Sequence, residues 1–438
     1  MSSRSSGSGR SEESRVLMLC YYFPPLMTAG TQRSVGFATW LREFKWRPIV
    51  LTVAKSRNRL ERAGEKPLAD VDVVRSFEWD LFRVLVFLSG LFNRFCDLLR
   101  ITRRPSPFFS WCLPDPQLAW LSTLRGIRLA KGCSAIYVSC SPFSSALSGC
   151  AIKIVTRKAL VLDFRDAWAE NPHANRTTVQ KLILGWLERF AVGICDALIL
   201  NTPGAERAYR RRYPGHAHKM TCIPNGFDRL NVPATYQGTG RFRILHLGDF
   251  YGSRTPDRLL EALAAIGNPE IEFVQVGPTF NSYARYRDRV PMSIIERVPH
   301  DEALTLMQSA SLLYLCQGWE KGTSDYIAVA SKTYDYLATG VPILADCPPG
   351  DNATLVSEFA TCSYLVTSPD CRAMETAIRM AWDKRTQVRP LVHPDFVHRF
   401  DRRVLTKRLA TVFDNVSCKH ASLTAEPAAR SKSRSVPA

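Results

Sequence analysis

The sequence predicts an α/β protein that contains two doubly wound domains, each built on a parallel sheet. Apolar runs of strand length alternate with helix-length segments through most of the 438 residues, and this alternation is typical of parallel sheets with helical connections. The runs are rich in Val, Ile and Leu and lack a regular polar alternation, which indicates strands covered on both faces. A chain of this length is also long enough to bury two separate hydrophobic cores.

The predicted strands fall into two series. The first series is 16–23, 48–53, 71–74, 135–140, 160–164 and 197–201. The second series is 242–248, 271–277, 311–316, 342–346 and 363–366. Residues 226–240 lie between the two series and suit a linker, because the joining stretch 223–240 contains Pro224, Gly226, Pro233, Gly238 and Gly240. The predicted domains are therefore 15–225 and 241–400. The polar termini, 1–14 and 417–438, are predicted to be disordered, and the first of them has no apolar core of a signal peptide.

The charge balance limits the classes of partner. A formal net charge of +18 fits either a nucleic-acid binder or a protein that meets anionic substrates and an anionic membrane surface. No RNA-binding aromatic motif, zinc-finger spacing or basic zipper is present, so nucleic acid is not an expected partner. The thirteen cysteines are scattered without a Cys-x-x-Cys pair, which predicts reduced thiols in a cytosolic protein. The histidines show no spacing typical of a metal site.

Residues 81–100 are predicted to form an amphipathic helix, because apolar side chains recur there at helical spacing. The longest nearly uncharged run, 84–92, is too short to cross a bilayer, which needs about 20 residues. A basic helix flanked by aromatic residues can lie in the interface of a membrane. The alternative is a helix packed on the domain core, and the sequence leaves both interpretations open.

Functional side chains are expected in the loops after strands, because open α/β sheets bind ligands beyond the carboxyl ends of their strands. After the first strand, Gly30 permits close approach of a ligand to the backbone. Arg33 follows in the first turn of a predicted helix, where the helix dipole disfavours a cation. Its position favours an anionic partner, and the alternative is a surface arginine without a role.

A second group of polar residues follows the strand 160–164. Asp163, Arg165 and Asp166 place two carboxylates and a guanidinium at one strand end. Such a group can orient sugar hydroxyls or supply a base. The alternative is an internal ion pair that joins Arg165 to Asp163 or Asp166.

The second half of the chain opens with a strand, a glycine-containing loop and a helix. Gly248 and Gly252 lie in the loop with Arg254 directly behind them, and Thr255 and Pro256 resemble the start of a helix. Backbone N–H groups at a helix N-terminus favour anions, and a guanidinium adds the bidentate geometry that phosphate prefers. This pattern predicts a phosphate site, and an ordinary turn with a surface arginine is the alternative.

A short helix is predicted between Ser331 as N-cap and Gly340 as C-terminal cap. Lys332 lies in its first turn against the helix dipole, which a bound phosphate would explain. Asp335, one turn further on, is placed to accept hydrogen bonds from ribose hydroxyls. The alternative is a solvated Lys–Asp pair that contributes only a few tenths of a kcal/mol.

These motifs together resemble the GT-B retaining glycosyltransferases, specifically glycosyltransferase family 4 and its bacterial surface-polysaccharide branch. The resemblance covers roughly residues 15–415. The motifs that carry it are 21–25 with Gly30 and Arg33, 163–168, the Asn-Gly turn at 223–228, 248–254, and 332–344.

The resemblance implies two Rossmann-like domains that face an interdomain cleft, the first for the acceptor and the second for a nucleotide-activated sugar. It implies a last helix, 401–416, that returns to the first domain. It implies no metal and no cofactor other than the donor substrate. Many family members carry two glutamates with seven residues between them, and here the positions correspond to Ile327 and Asp335.

The resemblance also assigns roles to individual residues. Arg254 and Lys332 would hold the donor diphosphate with Gly248 and Gly252, Asp335 would hold the ribose, and Gly30 would approach the phosphates. Asp166, Arg254 and Lys332 are the predicted catalytic residues. The predicted acceptor-side residues are Arg33, Asp163, Arg165 and His173.

The predicted function is transfer of a sugar from a nucleotide diphosphate sugar to a glycan or lipid-linked acceptor in surface-polysaccharide biosynthesis. The expected location is the cytoplasm, at the inner face of the cytoplasmic membrane. Two alternatives stay open: a non-catalytic GT-B scaffold, and a nucleotide-sugar epimerase of the same fold.

Overall fold

The computed structural model describes residues 13–26, 30–54, 68, 71–78, 81–98, 112–120, 122–169, 176–228, 240–319, 327–386 and 392–430. The strands are β1 Ser14–Leu19, β2 Trp46–Val53, β3 Asp72–Ser76, β4 Ala135–Cys140, β5 Ala159–Phe164, β6 Ala197–Leu200, β7 Met220–Cys222, β8 Phe242–Leu247, β9 Ile271–Val276, β10 Met292–Ile295, β11 Leu312–Cys316, β12 Ile343–Asp346 and β13 Ser363–Val366. The helices of the amino-terminal half are α1 Thr31–Trp40, α2 Leu81–Leu98, α3 Ser122–Ala130, α4 Ser144–Thr156, α5 Thr178–Ile194 and α6 Pro203–Arg212. Those of the carboxy-terminal half are α7 Asp257–Ile266, α8 Tyr283–Tyr286, α9 His300–Ser309, α10 Ser331–Thr339, α11 Asp351–Phe359, α12 Cys371–Asp383, α13 Pro394–Phe400 and α14 Arg402–Arg430.

The chain divides into two compact units. Unit 1 comprises Met1–Trp168, Thr178–Ile199 and Thr406–Ala438. Unit 2 comprises Ala169–Thr177 and Leu200–Leu405.

The first sheet has seven strands in the order β3-β2-β1-β4-β5-β6-β7. The pairs β3/β2, β2/β1, β1/β4 and β4/β5 are parallel. Every residue of β4 and β5 is buried, as expected for strands covered by helices on both faces. The predicted doubly wound architecture is confirmed for this part of the chain.

The second sheet has six strands in the order β10-β9-β8-β11-β12-β13, and every neighbouring pair is parallel. Side chains of β11 alternate between two apolar clusters. Leu313 and Leu315 belong to the cluster on one face of the sheet, and Leu312 and Tyr314 belong to the cluster on the other. The sheet is therefore buried on both sides, which explains why its strands read as continuous apolar runs.

The core of unit 1 includes side chains from the end of the chain. Phe413, on α14, is fully buried and contacts the rings of Trp46 and Tyr137, with centroid distances of 5.2 and 6.1 Å. The indole nitrogen of Trp46 also donates to Asp414 at 3.0 Å. These contacts bring α14, 368 residues further along the chain, into the same core as β2 and β4.

Several predicted boundaries differ from those of the structure. The helix after Arg254 has Pro256 as its N-cap rather than Thr255, and Asp257 is its first residue. The expected disordered tail begins inside α14, which continues to Arg430, whereas 431–438 and 1–12 lie outside the described residues. Most of the predicted linker, 229–239, also lies outside them. Gly226 and Phe227 pack in unit 2, where the backbone N–H of Phe227 donates to Phe400 at 3.2 Å.

The amphipathic helix predicted at 81–100 corresponds to α2, and several of its apolar side chains are exposed. None of the helices in the described ranges combines the length and apolar character that a bilayer crossing requires.

Candidate functional site

The candidate site lies where the strand order of the second sheet changes direction. From β8 the chain moves to β9 and β10 on one side, and β11 to β13 lie on the other side. Open parallel sheets bind ligands beyond the carboxyl ends of the strands at such a point. The loop that follows β8 contains Gly248, Gly252 and Arg254, and Lys332 lies on α10. The structure brings these predicted residues together within unit 2.

Gly248 directly follows β8 in a conformation that only glycine adopts easily. Its φ is 104°, and its backbone N–H donates to Val276 at 2.9 Å. A Cβ at this position would lie 3.4 Å from Nζ of Lys332. The glycine therefore turns the chain away from the sheet and leaves space for the lysine side chain.

The ammonium group of Lys332 is held at the end of β8. Its Nζ atom donates to the carbonyl of Leu247 at 2.6 Å and lies 2.9 Å from Nε2 of His246. The helix that carries Lys332, α10, begins at Ser331 and ends at Thr339, and Gly340, with a φ of 68°, caps it in the left-handed conformation. Ala330, and not the predicted Ser331, occupies the N-cap.

A chain of hydrogen bonds fixes the tautomer of His246. The side-chain amide of Gln275 donates to the carbonyl of Gly248 at 2.6 Å, so its Oε1 atom accepts from Nδ1 of His246 at 2.8 Å. Nε2 of His246 is then an acceptor and faces Lys332. Phe250 stacks on the imidazole with ring centroids 4.0 Å apart. Burial and the nearby Lys332 charge hold the pKa of His246 well below its ordinary value, so the imidazole is neutral.

The lysine is electrostatically coupled to Arg254. Burial lowers the pKa of Lys332 to about 8, and the positive charge of Arg254 acts in the same direction. Most of the lysine still carries its charge at pH 7. Two cations that destabilise each other at one point of a sheet favour an anionic ligand.

Arg254 is oriented by a tight turn. Its backbone N–H donates to the carbonyl of Tyr251 at 3.0 Å, its guanidinium lies 4.9 Å from the centre of the Tyr251 ring, and Nη1 contacts the phenol oxygen. Among the described residues, the buried Nε atom of Arg254 has no hydrogen-bond partner. Gly252 has a φ of 59° and allows the turn. The arginine therefore retains donor capacity for a ligand.

The loop after β8 is supported by the loop after β11. A Cβ on Gly318 would lie 1.8 Å from Oγ of Ser253, so only glycine allows the two loops to pack this closely. The loop after β8 and the loop after β11, which flank the point where the strand order reverses, are thus in direct contact.

Asp335 lies apart from the two cations. Burial raises its pKa to about 7, with the Arg402 charge opposing the shift and the Asp228 charge adding to it. Arg402 donates to Asp228 at 3.0 Å and to the carbonyl of Gly226 at 2.7 Å. In the described part of the chain, Lys332 and Asp335 form no ion pair, so the solvated pair that the sequence allowed is absent there. A nearby contact joins Asn225 to Oγ of Ser331 at 3.4 Å.

In unit 1, Arg33 and Asp163 form a buried ion pair. Nε and Nη2 of Arg33 donate to the two carboxylate oxygens at 2.7 and 3.0 Å, and the hydroxyl of Tyr137 donates to Oδ2 at 2.5 Å. The side chains are 2% and 0% exposed. Asp163 is therefore an anionic partner that the position of Arg33 predicted, and it comes from the protein itself.

Arg165 fills the carboxyl ends of β1 and β4. It donates to the carbonyls of Cys140, at 3.3 Å, and of Ser141. A Cβ on Gly30 would lie 1.1 Å from its Nη1 atom, so Gly30 makes room for a guanidinium at the start of α1. Asp166 is exposed beside this group. His173 lies outside the described residues.

His246 and Gln275 are the site residues that the sequence analysis missed. Both are polar residues inside apolar strand runs, and they are direct partners in the register of β8 and β9. A polar side chain in a strand that is buried on both faces needs a hydrogen-bond partner. The sequence shows such side chains at His246 and Gln275, so it could have indicated the pair.

No protein-family profile and no curated protein sequence matches this chain. Solved structures do. Anabaena HepE in complex with UDP and glucose shares 16% identity, with 92% of this chain and 99% of HepE covered and a TM-score of 0.61. The sucrose-phosphate synthase of Thermosynechococcus elongatus shares 14% identity, with 95% and 100% of the two chains covered and a TM-score of 0.56.

The lipopolysaccharide outer core galactosyltransferase WaaB in its apo form shares 11% identity, with 92% of this chain and 99% of WaaB covered and a TM-score of 0.57. At these identities the similarity defines the fold. Together with the two parallel sheets, it shows that the chain has the GT-B fold, as the resemblance implied.

Proposed function

We propose that this chain is a glycosyltransferase that moves a sugar from a nucleotide diphosphate sugar to a hydroxyl of a glycan or lipid-linked acceptor. The observation that supports the proposal most is the placement of two cations, Lys332 and Arg254, near the carboxyl end of β8, where the strand order reverses. The fold supports it, since HepE of the same fold was solved with UDP and glucose.

The chemistry follows from where charge develops. When the bond between sugar and diphosphate breaks, the leaving oxygen gains negative charge. The ammonium of Lys332 and the guanidinium of Arg254 are oriented before the reaction, so they stabilise this charge without reorganisation. The Lys332 charge is held against a neutral imidazole and a carbonyl rather than a carboxylate. Its positive potential is therefore available to the ligand.

The remaining site residues take supporting roles in the proposal. Asp335 would accept hydrogen bonds from ribose hydroxyls, and Gly252 would allow the loop backbone to approach the phosphates. In unit 1, Asp166 would orient the acceptor hydroxyl. The branch of the family and surface-polysaccharide biosynthesis as the pathway belong to the same proposal.

We propose further that the reaction retains the anomeric configuration and needs no metal ion. Two protein cations at the diphosphate supply the charge stabilisation that a metal would otherwise give. Activity in the presence of EDTA tests the second point, and the anomeric configuration of the product, read by nuclear magnetic resonance, tests the first.

A cytoplasmic location at the inner membrane face is also proposed. The exposed apolar side chains of α2, among them Phe87, Leu91 and Phe95, support membrane contact of this helix rather than burial in the core. A basic protein is attracted to anionic lipid head groups.

The function is tested by calorimetric titration with UDP and other nucleoside diphosphates, followed by transfer assays with the sugar that binds. Arg254→Ala and Lys332→Met are each expected to weaken nucleotide binding by about 10- to 150-fold, the contribution of a hydrogen bond to a charged group. Arg287→Ala is the matched control, since Arg287 is an exposed arginine of unit 2 that pairs with Asp288.

Three results would separate the alternatives. Unchanged binding in both site variants would refute the diphosphate site. Tight nucleotide-sugar binding without transfer across a panel of acceptors would favour a scaffold. A changed sugar released without any acceptor would favour an epimerase.

A further inference from the structure

Asp249 places a carboxylate beside the ammonium of Lys332. It follows Gly248 in the loop after β8, and a Cβ on Gly248 would lie 3.4 Å from Nζ of Lys332. The negative charge of Asp249 acts on the lysine and favours its charged form. An ion pair between the two side chains would cancel much of the positive potential that the site offers to an anionic ligand.

The structure shows a different pairing. In the described part of the chain, Nζ of Lys332 contacts His246 and the carbonyl of Leu247. Oδ2 of Asp249 instead accepts a hydrogen bond from Nη2 of Arg297. The arginine and aspartate side chains are 54% and 42% exposed, so this ion pair lies at the surface above a half-buried lysine. The carboxylate nearest to the lysine in the chain is therefore paired with another cation.

Arg297 reaches this loop from a more distant strand. It lies two residues after β10, and β9 separates β10 from β8 in the sheet. Backbone hydrogen bonds join the ends of the three strands, because Gly248 donates to β9 and Gly277 donates to β10, each at 2.9 Å. Gly277, which follows β9, contributes no side chain between the partners. The ion pair of Arg297 and Asp249 thus spans the carboxyl end of β9.

We propose that Arg297 is a positioning residue, which holds the carboxylate of Asp249 away from the ammonium of Lys332 and so keeps the lysine available to an anionic ligand. The inference rests on the proposed function, since that ligand is the diphosphate of the proposed donor. Without Arg297, the carboxylate of Asp249 competes with the diphosphate for the same ammonium. Arg297 acts through Asp249 and needs no contact with the ligand.

Calorimetric titration of the full-length chain with UDP tests the proposal. Arg297→Gln should weaken UDP binding about 3- to 10-fold, because Asp249 then pairs with Lys332 and the ligand has to break that pair. Asp249→Asn combined with Arg297→Gln should restore the affinity of the wild type, since the competing carboxylate is gone. The second substitution would not replace a guanidinium that binds the ligand directly or that only supports the loop.

The alkaline stability profile gives a second readout that needs no ligand. Burial lowers the pKa of Lys332 to about 8. In Arg297→Gln the closer carboxylate should raise this pKa, so the increase of the free energy of unfolding with pH should begin at a higher pH than in the wild type. In the double variant it should begin at the pH of the wild type or lower. The charged or titratable groups that act on or contact Lys332 are those of His246, Asp249, Arg254 and Cys316.

Arg399→Gln is the matched control. Arg399 pairs with Glu358 at 2.7 Å in unit 2, and both side chains are exposed to an extent similar to Arg297 and Asp249. The substitution removes a comparable surface ion pair, carried by α13 and α11. It should change neither the UDP affinity nor the alkaline profile.

Three results would overturn the inference. In the first, Arg297→Gln binds UDP as tightly as the wild type. In the second, the double variant binds UDP as weakly as Arg297→Gln alone. In the third, Arg297→Gln has the alkaline profile of the wild type. If the wild type binds no nucleoside diphosphate, the proposed function fails, and the alkaline profiles then decide by themselves whether Arg297 holds Asp249 away from Lys332.

Discussion

Nζ of Lys332 lies 2.9 Å from Nε2 of His246, so a half-buried ammonium is paired with a neutral imidazole. Gln275 holds that imidazole in the tautomer that accepts a hydrogen bond. A carboxylate in the place of His246 would cancel the charge of Lys332. The imidazole instead orients the lysine and leaves the site positive, which suits the diphosphate that we propose as ligand.

The pairing predicts that His246→Phe impairs both folding and binding. Phenylalanine keeps a ring that Phe250 can stack on but removes both nitrogens, so Lys332 and Gln275 each lose a partner. We expect a loss of about 1–3 kcal/mol in the free energy of unfolding, the cost of an unpaired buried polar group. Urea unfolding measures the stability, and UDP titration measures the binding. If His246→Phe has the stability and the UDP affinity of the wild type, the hydrogen bonds of His246 do not hold Lys332 in place.

Lys332 makes stability dependent on pH in the alkaline range. Its pKa is lowered from 10.5 in a model compound to about 8 in the folded chain. Between these values the unfolded chain binds more protons, so stability rises as the pH increases from about 8 to 10.5.

Lys332→Met removes this titration, so its stability relative to the wild type should be about 1–3 kcal/mol more favourable at pH 7 than at about pH 10.5, on top of a constant cost for the unpaired acceptors of His246 and Leu247. This advantage should disappear towards pH 10, where the wild-type lysine is neutral in the folded state. Melting curves across this range measure the difference. The same variant should bind UDP poorly at every pH, and an advantage that persists unchanged at high pH would argue against a charged, buried lysine.

Asp335 has the opposite dependence. Its pKa is raised from 3.8 to about 7, so the folded state binds more protons between these values. The free energy of unfolding therefore falls as the pH rises from 3.8 to about 7. Above pH 7 the carboxylate is charged in the folded state, and the whole destabilisation from its burial is present.

Asp335→Asn should accordingly stabilise the protein by about 1–3 kcal/mol at pH 8 and have little effect at pH 4. Thermal melts at the two values are the measurement. If Asp335 also binds ribose, the variant should weaken UDP more than it weakens inorganic diphosphate. Equal stabilisation at both pH values would show that the carboxyl is not buried as described.

Two glycines of unit 2 test how tightly the loop after β8 is held. Gly277 has a φ of 147°, and a Cβ there would lie 2.6 Å from the carbonyl oxygen of Gly248 and 2.8 Å from Nε2 of Gln275. Gly277→Ala should cost about 2–4 kcal/mol, because the substitution adds a clash with backbone to an unfavourable φ. UDP affinity should fall as well, since Gly248 moves.

Gly267→Ala is the matched control for that substitution. Gly267 also has a positive φ, 64°, but nothing lies within 4 Å of its added Cβ. We expect a cost of about 1 kcal/mol and no change in UDP affinity. Equal costs for the two variants would mean that the contact with Gly248 does not constrain the loop.

The ion pair of Arg33 and Asp163 separates a structural role from an acceptor role. Asp163→Asn leaves a buried guanidinium without its counter-charge and should cost about 3–5 kcal/mol of stability. UDP affinity should stay within error of the wild type at temperatures where the variant is folded. Wild-type stability with a raised KM for the acceptor would instead support the acceptor role that the sequence suggested for both residues.

The strands were predicted well because long apolar runs are an unambiguous signal. The strand 135–140 was predicted with the bounds of β4, and 242–248 differs from β8 by one residue. The strands β7 and β10 were missed. They have three and four residues, and their residues are not all buried, so they carry no run long enough to stand out.

The site residues that were predicted are those whose local sequence, within one loop or one helix start, indicates a function. Arg254 and Lys332 were found because each is a cation at an unfavourable place near a helix start. The partner of Arg33 was not found, because Asp163 is 130 residues away and the sequence offered Arg165 as a nearer partner for that carboxylate. His246 and Gln275 required the register of two strands, which local patterns do not give.

The contribution of Phe413 and Asp414 to unit 1 has a consequence for synthesis of the chain. The strands around Trp46 and Tyr137 leave the ribosome early, whereas Phe413, whose ring completes their core, is translated 367 residues after Trp46. A nascent chain must therefore carry an incomplete amino-terminal unit until Phe413 has been synthesised. Fragments that stop before Thr406 should accordingly need chaperones or aggregate.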